Sequence, residues 1–186
     1  MTKLLGLLTS FGVLAVISHT VVAATETPGF WTTPTIDGAG RMHALPQAAY
    51  QPKKGQVYKV VFALTKAPDK PSGVNPSLDR VARAVNLFVN AGIPLDHLKF
   101  VAVMAGPATS SALDSEHYKA IYGVDNPNLP VIQKLRAAGV DVAVCGQAVA
   151  ENDYEYEWVS KSVTLALSAL TTVTTLQSQG YALVPL

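Results

Sequence analysis

A repeated strand-then-helix rhythm, with Asn-Pro starts and glycine stops, constrains this chain more than any other feature. Val57 to Leu64 is β-branched, aromatic and almost continuously apolar, the pattern of a strand covered on both faces. A loop broken by proline and glycine follows, Lys66 to Val74. Asn75-Pro76 then supplies an N-cap and a proline at the first helical position. Leu78, Val81, Ala82, Val85, Phe88 and Val89 recur on one helical face. Gly92 ends that helix and Pro94 prevents its return. The cycle repeats with a strand at Leu98 to Met104, a helix capped by Asn126-Pro127 or Asn128 that turns Leu129, Ile132 and Leu135 inward, a stop at Gly139, and a strand at Val140 to Val144. Ser160 to Gln179 is expected as one helix: its Val and Thr content is ambiguous, but its length and its Gln-Ser-Gln-Gly ending favour that state. Tyr181 to Val184 closes the pattern as a short strand. Strands alternating with helices predict a parallel sheet covered on both faces. In such sheets ligands bind beyond the carboxyl ends of the strands, so the candidate rim is Thr65-Lys66, Ala105 to Thr109 and Cys145-Gly146-Gln147.

The first 24 residues stand apart. Lys3, an uncharged apolar run from Leu4 to Ile17, and the small residues Val22-Ala23-Ala24 have the form of a signal peptide cleaved near Ala24. The apolar run is too short for a spanning helix, which needs about 20 residues. These features predict export to the periplasm, with no membrane attachment after processing. Residues 25–56 carry Pro28, Pro34, Pro46 and Pro52 together with Phe30, Trp31, Ile36, Leu45 and Tyr50. They read as an extended arm that packs on the domain or on a neighbouring subunit. Residues 57–186 form the α/β domain. The net charge is only +1 and the Lys and Arg residues are scattered, so no nucleic-acid partner is expected. The apolar character of the remaining chain points to a buried homo-oligomer interface.

One cysteine, Cys145, stands at the end of the third strand, directly before Gly146-Gln147. In an oxidising compartment a lone cysteine is buried and inert, paired with another molecule, or a working thiol. A helix or tight turn starting at Gln147 would aim the N–H groups of Gly146 and Gln147 at the sulfur, favouring thiolate, and Gly146 would let a substrate approach the backbone. The acids Glu151, Asp153, Glu155 and Glu157 push the other way. Their segment, Glu151 to Trp158, reads as a solvated loop with aromatic anchors or as a subunit contact. Ala105 to Ser111 is a small-residue loop without the Gly-Lys-Ser/Thr ending of a P-loop, so it reads as an ordinary turn. His43, His97 and His117 have no metal-ligand spacing, and no metal or other cofactor is expected. A dyad of Cys145 with His117 or His43 is possible in space, but no base for a thiol-dependent hydrolase stands out.

Tyr58-Lys59-Val60-Val61-Phe62, the Gly106-Pro107-Ala108 loop, Tyr122-Gly123-Val124-Asp125-Asn126-Pro127-Asn128, Ala138-Gly139-Val140, Val144-Cys145-Gly146-Gln147 and Gly180 to Pro185 together resemble the DsrE/DsrF-like family. The leader resembles that of exported members, here with a Cys-Gly-Gln motif. The resemblance implies a compact α/β fold, flavodoxin-like in its three layers, with a mostly parallel sheet of about five strands, assembled as trimers or hexamers. It also implies sulfur carried as a persulfide on a cysteine, with Cys145 where such a cysteine is expected. On this reading Cys145 accepts sulfane sulfur, Gly146 and Gln147 stabilise it, and the partners are a small sulfur compound or a sulfur-relay protein. The protein is then a sulfurtransferase or sulfur carrier. The alternative is a non-catalytic binding or assembly protein with an inert rim cysteine.

Overall fold

Alternation decides which way each strand faces. In β1 (Tyr58–Leu64), Tyr58, Val60, Phe62 and Leu64 point to one side, and Lys59, Val61 and Ala63 to the other. The computed structural model describes residues 29–186; the signal segment expected over residues 1–24 lies outside the described residues. After β1 come α1 (Pro76–Asn90), β2 (Leu98–Met104), α2 (Ser115–Tyr122), α3 (Leu129–Ala137), β3 (Asp141–Cys145), α4 (Gly146–Glu151), β4 (Thr164–Ala166), α5 (Ala169–Ser178) and β5 (Ala182–Pro185). A 3-10 helix, Gly106–Ala112, lies between β2 and α2.

The five strands form one sheet in the order β4-β3-β2-β1-β5, and every pairing is parallel. With helices on both faces, this is the expected three-layer, flavodoxin-like α/β architecture. The flavodoxin order is 2-1-3-4-5. Here the outer strand beside β1 is the fifth in sequence, not the second. The two faces are unequal. Phe62, Leu64, Phe100, Met104, Val142 and Val144 pack against Leu78, Val81 and Val85 of α1 and Ile132 and Leu135 of α3 in the main core. On the opposite face Val61, Val103 and Ala143 meet only Ala169, Val173 and Leu176 of α5, together with a few flanking residues.

Caps account for most of the helix ends. The Asn75 side chain accepts the N–H of Ser77 and Pro76 opens α1, as the Asn-Pro pair predicts. Asp114 caps α2 and Gly123 ends it at φ +75°, in the left-handed region. The single helix expected over Ser160 to Gln179 is instead two elements. Thr164–Ala166 pairs with Ala143 to Cys145 as β4, and Ser168 then caps α5 by accepting the N–H of Thr171. Pairing to β3, a tertiary effect, overrides the local preference there.

The described part of the arm packs on α1 of the same chain. Ile36, Ala39 and Met42 are buried. Asn86 of α1, fully buried, accepts the N–H groups of Thr35 and Ile36 and donates to the carbonyls of Ala39 and Gly40. Gly40 lies flat on α1: a Cβ there would sit 2.2 Å from the Arg83 nitrogen, and φ is +65°. Only glycine meets both conditions.

Candidate functional site

The carboxyl ends of the strands are held together by buried amides. The Asn75 N–H donates to Asn128 Oδ1 at 2.7 Å, and Asn75 Nδ2 reaches the Lys66 carbonyl at 2.8 Å and Ser111 Oγ at 3.2 Å. Asn128 Nδ2 donates to Asn126 Oδ1, and Asn126 Nδ2 donates to the carbonyls of Ser111 and Leu113. The Asn126-Pro127-Asn128 stretch thus ties the loops after β1 and β2 to the start of α3. Asn128 occupies the cap position of α3 but makes no side-chain cap bond, because its side chain is committed to this network. The small-residue loop at Ala105 to Ser111 is a strand-to-helix turn, with Thr109, Ser110 and Ser111 buried. Two buried hydroxyls, Ser77 and Thr109, have no hydrogen-bond partner among the described residues.

Cys145 is the last residue of β3 and the N-cap of α4. Alternation places it on the same face as Ala143, and it pairs in register with Ala166 of β4. Its side chain is only 6% exposed. The Ala148 N–H donates to Sγ at 3.4 Å, so the donor lies one residue beyond the Gly146 and Gln147 groups expected from the sequence. The reason is the helical turn itself: a capping side chain meets the N–H of the second or third helical residue. Gly146 is buried, and a Cβ on it would lie 2.9 Å from the Ala166 carbonyl oxygen and 3.4 Å from that of Leu167. Backbone of β4 and of the residue after it therefore fills the space that the sequence left open for a substrate. Gln147 is exposed, and its Nε2 donates to the Leu167 carbonyl at 3.3 Å. A cleft of about 220 Å³ runs beside this corner between Gly146-Gln147, Tyr156 and Leu165 to Leu167; the Cys145 side chain does not line it.

Neither histidine expected as a possible partner meets the thiol. His117 Nδ1 lies 2.9 Å from both Asp114 carboxylate oxygens, and its ring stacks on Trp158 at 4.7 Å. His43 stacks on Phe30 in the arm, 3.9 Å between ring centres, with Nδ1 2.8 Å from the Phe30 carbonyl. Burial pushes the Asp114 carboxyl up, but the His117 N–H, its ring and its charge, with the Glu116 N–H, together hold it below its ordinary value of 3.8. Among the described residues no three His, Cys, Asp or Glu side chains converge as a metal site would require, and no helix is long and apolar enough to cross a membrane.

Sequence reasoning missed α2, and with it the meeting of Tyr118, Tyr122 and Tyr154. The Tyr118 hydroxyl donates to the Pro71 carbonyl at 2.8 Å, and the Tyr122 and Tyr154 hydroxyls lie 3.4 Å apart. The i, i+4 spacing of the first two, between the Asp114 cap and the Gly123 stop, was the available signal.

No curated protein matches the chain. Among solved structures, a protein of unknown function from Methanobacterium thermoautotrophicum, MTH1491, aligns at 16% identity over 69% of this chain and 99% of its own, with a TM-score of 0.47. The model of the DsrE/DsrF-like family matches residues 58–186, which takes in all five strands, the buried asparagine network and Cys145. The chain belongs to the DsrE/DsrF-like family.

Proposed function

We propose that this protein is an exported, periplasmic sulfur carrier that holds sulfane sulfur on Cys145 as a persulfide. The family suggests a role related to sulfur relay. The observation that carries the reading to a residue is the placement of the single thiol at the carboxyl end of β3, with a backbone N–H directed at its sulfur. In the transfer, the Cys145 thiolate attacks the outer sulfur of a small persulfide, R–S–SH. A new S–S bond forms on Cys145, the donor's S–S bond breaks, and R–S⁻ departs with the electron pair. The outer proton stays on the transferred sulfur, and no external oxidant is needed. Gly146 lets β4 close against the corner, and Gln147 stands at the mouth of the adjacent cleft. Intact-mass analysis after exposure to polysulfide tests the reading: a gain of about 32 Da, absent in Cys145→Ser, is expected.

A second reading rests on the burial of Cys145 and its capping bond. In that reading the thiol is structural and the protein is a non-catalytic binding or assembly protein. A native protein that resists alkylation until it is denatured, and gains no sulfur, decides for it. In either case we propose a homo-oligomer, a trimer or hexamer. Leu167, just after the edge strand β4, and Leu170 of α5 are 73% and 82% exposed, apolar side chains suited to another subunit.

A further inference from the structure

The carboxyl ends of β1 and β2 open onto a second cavity, of about 310 Å³, that shares no residue with the Cys145 corner. One wall is the loop after β1, including Pro68 and Pro71; the other is built from Tyr118 and Tyr122 of α2 and Tyr154 beyond α4. The wall is braced, not loose. The Tyr118 hydroxyl is bonded to the Pro71 carbonyl, and its ring lies 4.6 Å from that of Tyr122. Flat proline and tyrosine surfaces on both sides suit a ligand with an apolar face.

Apart from Asp69 and Lys70, the polar side chains of the cavity are neutral, and several keep hydrogen-bonding capacity to spare. The Ser110 side chain lines it, and its hydroxyl makes no hydrogen bond among the described residues. Asn152 donates its Nδ2 to the Ala148 carbonyl at 2.7 Å, which leaves its own side-chain carbonyl as an acceptor. The 3.4 Å between the Tyr122 and Tyr154 hydroxyls exceeds a normal O–H···O bond, so each retains capacity for another partner. Burial, then the contact with the Tyr122 hydroxyl and the neighbouring phenols, push Tyr154 up, so its own hydroxyl stays protonated and uncharged.

Charge and size narrow the ligand. Asp69 and Lys70 both line the cavity and offset one another. A phosphate or carboxylate would need an excess of cations and convergent donors. A quaternary ammonium is held by a cage of several open ring faces with surplus negative charge; here Tyr118 is only 1% exposed and Asp69 is offset by Lys70. The volume stands at the lower end of the roughly 300–1,000 Å³ range of ligand sites, enough for one substituted ring but not a dinucleotide. We infer that this cavity binds a single neutral sugar ring, its apolar face against the prolines and the half-buried rings of Tyr122 and Tyr154, and its hydroxyls on Ser110, Asn152 and the Tyr122–Tyr154 pair. A hydroxylated ring both donates and accepts, as these side chains do.

The test is an amide NMR titration of the 15N-labelled protein with glucose, galactose and N-acetylglucosamine, and with the methyl glycoside of each. Choline chloride and sodium phosphate serve as charged probes. At least one neutral sugar should give saturable shifts at the Ser110, Tyr118 and Asn152 amides, with a Kd of about 1 mM, ordinary for so small a ligand. Ser110→Ala and Tyr122→Phe should each weaken it roughly 2- to 10-fold, the worth of one hydrogen bond. Cys145→Ser should leave it unchanged, which separates this site from the sulfur chemistry. Binding of free sugar alone identifies a free monosaccharide; equal binding of the glycoside identifies the terminal residue of a glycan. Should Ser110→Ala fail to fold, Tyr122→Phe carries the test, since it removes only an oxygen from a partly exposed ring. The proposal is overturned if no sugar saturates these amides by about 100 mM, a hundredfold above the expected Kd. It is also overturned if choline or phosphate saturates the same amides, or if the folded variants bind as the native protein does.

Discussion

Thr109 carries a buried hydroxyl with no partner among the described residues, a desolvation cost that none of them offsets. Thr109→Val replaces that hydroxyl with a methyl of similar shape, so stability in urea should rise by up to about 1 kcal/mol, and a fall would show a partner unseen here. Asp114 gives a pH-dependent counterpart. Its carboxyl is held below 3.8 in the folded state, so its contribution is complete above that value and is lost as pH falls through the lower folded value. Unfolding midpoints between about pH 5 and 2 should therefore drop less steeply in Asp114→Asn, which keeps a capping oxygen but cannot ionise. At this scale the sequence was half legible. A β-branched run stopped by Gly146 placed Cys145 at a strand end. The identity of its N–H donor, and the filling of the space above Gly146, depended on a helical turn and on β4, which no local pattern marks.

At the scale of elements, the arm and α1 form one unit joined by the four bonds of Asn86 and the close approach at Gly40. Gly40→Ala should detach the arm, with faster amide exchange at Thr35 and Ile36 and a loss on the order of 2 kcal/mol, since both backbone strain and a clash oppose it. Exchange that stays slow would mean that the arm is held chiefly by Ile36 and Met42. The elements read correctly from sequence were those with their own caps and a full apolar stripe, such as α1. By contrast, α2 buries little beyond Tyr118 and so carries no strong period, and β4 is three residues long and exists because β3 offers it a pairing edge. The aromatic cavity was invisible for the same reason: its walls come from four separate segments whose meeting is a property of the topology.

Over the whole molecule, the two faces of the sheet differ in cover, α1 and α3 on one and α5 alone on the other. If the α5 side is where subunits meet, a Leu167→Glu, Leu170→Glu pair should shift the light-scattering mass to that of a monomer with little change in secondary structure, because these side chains contribute almost nothing to the core. An unchanged oligomer would place the interface elsewhere. The strand order carries a consequence in time. β1 is among the first elements made, yet one of its edges is covered by β5, with Thr65 and Leu186 bonded across 121 residues of sequence. Pairing over such a separation is slow, and the open edge of β1 is exposed to wrong partners in the interval. Removing Ala182 to Leu186 should therefore leave a chain that aggregates on refolding rather than a slightly weaker native protein. Growing from its N-terminus, a chain that has not reached Ala182 has no β5 to lay on β1, so four of the five strands can be present while the sheet still stands open on that side.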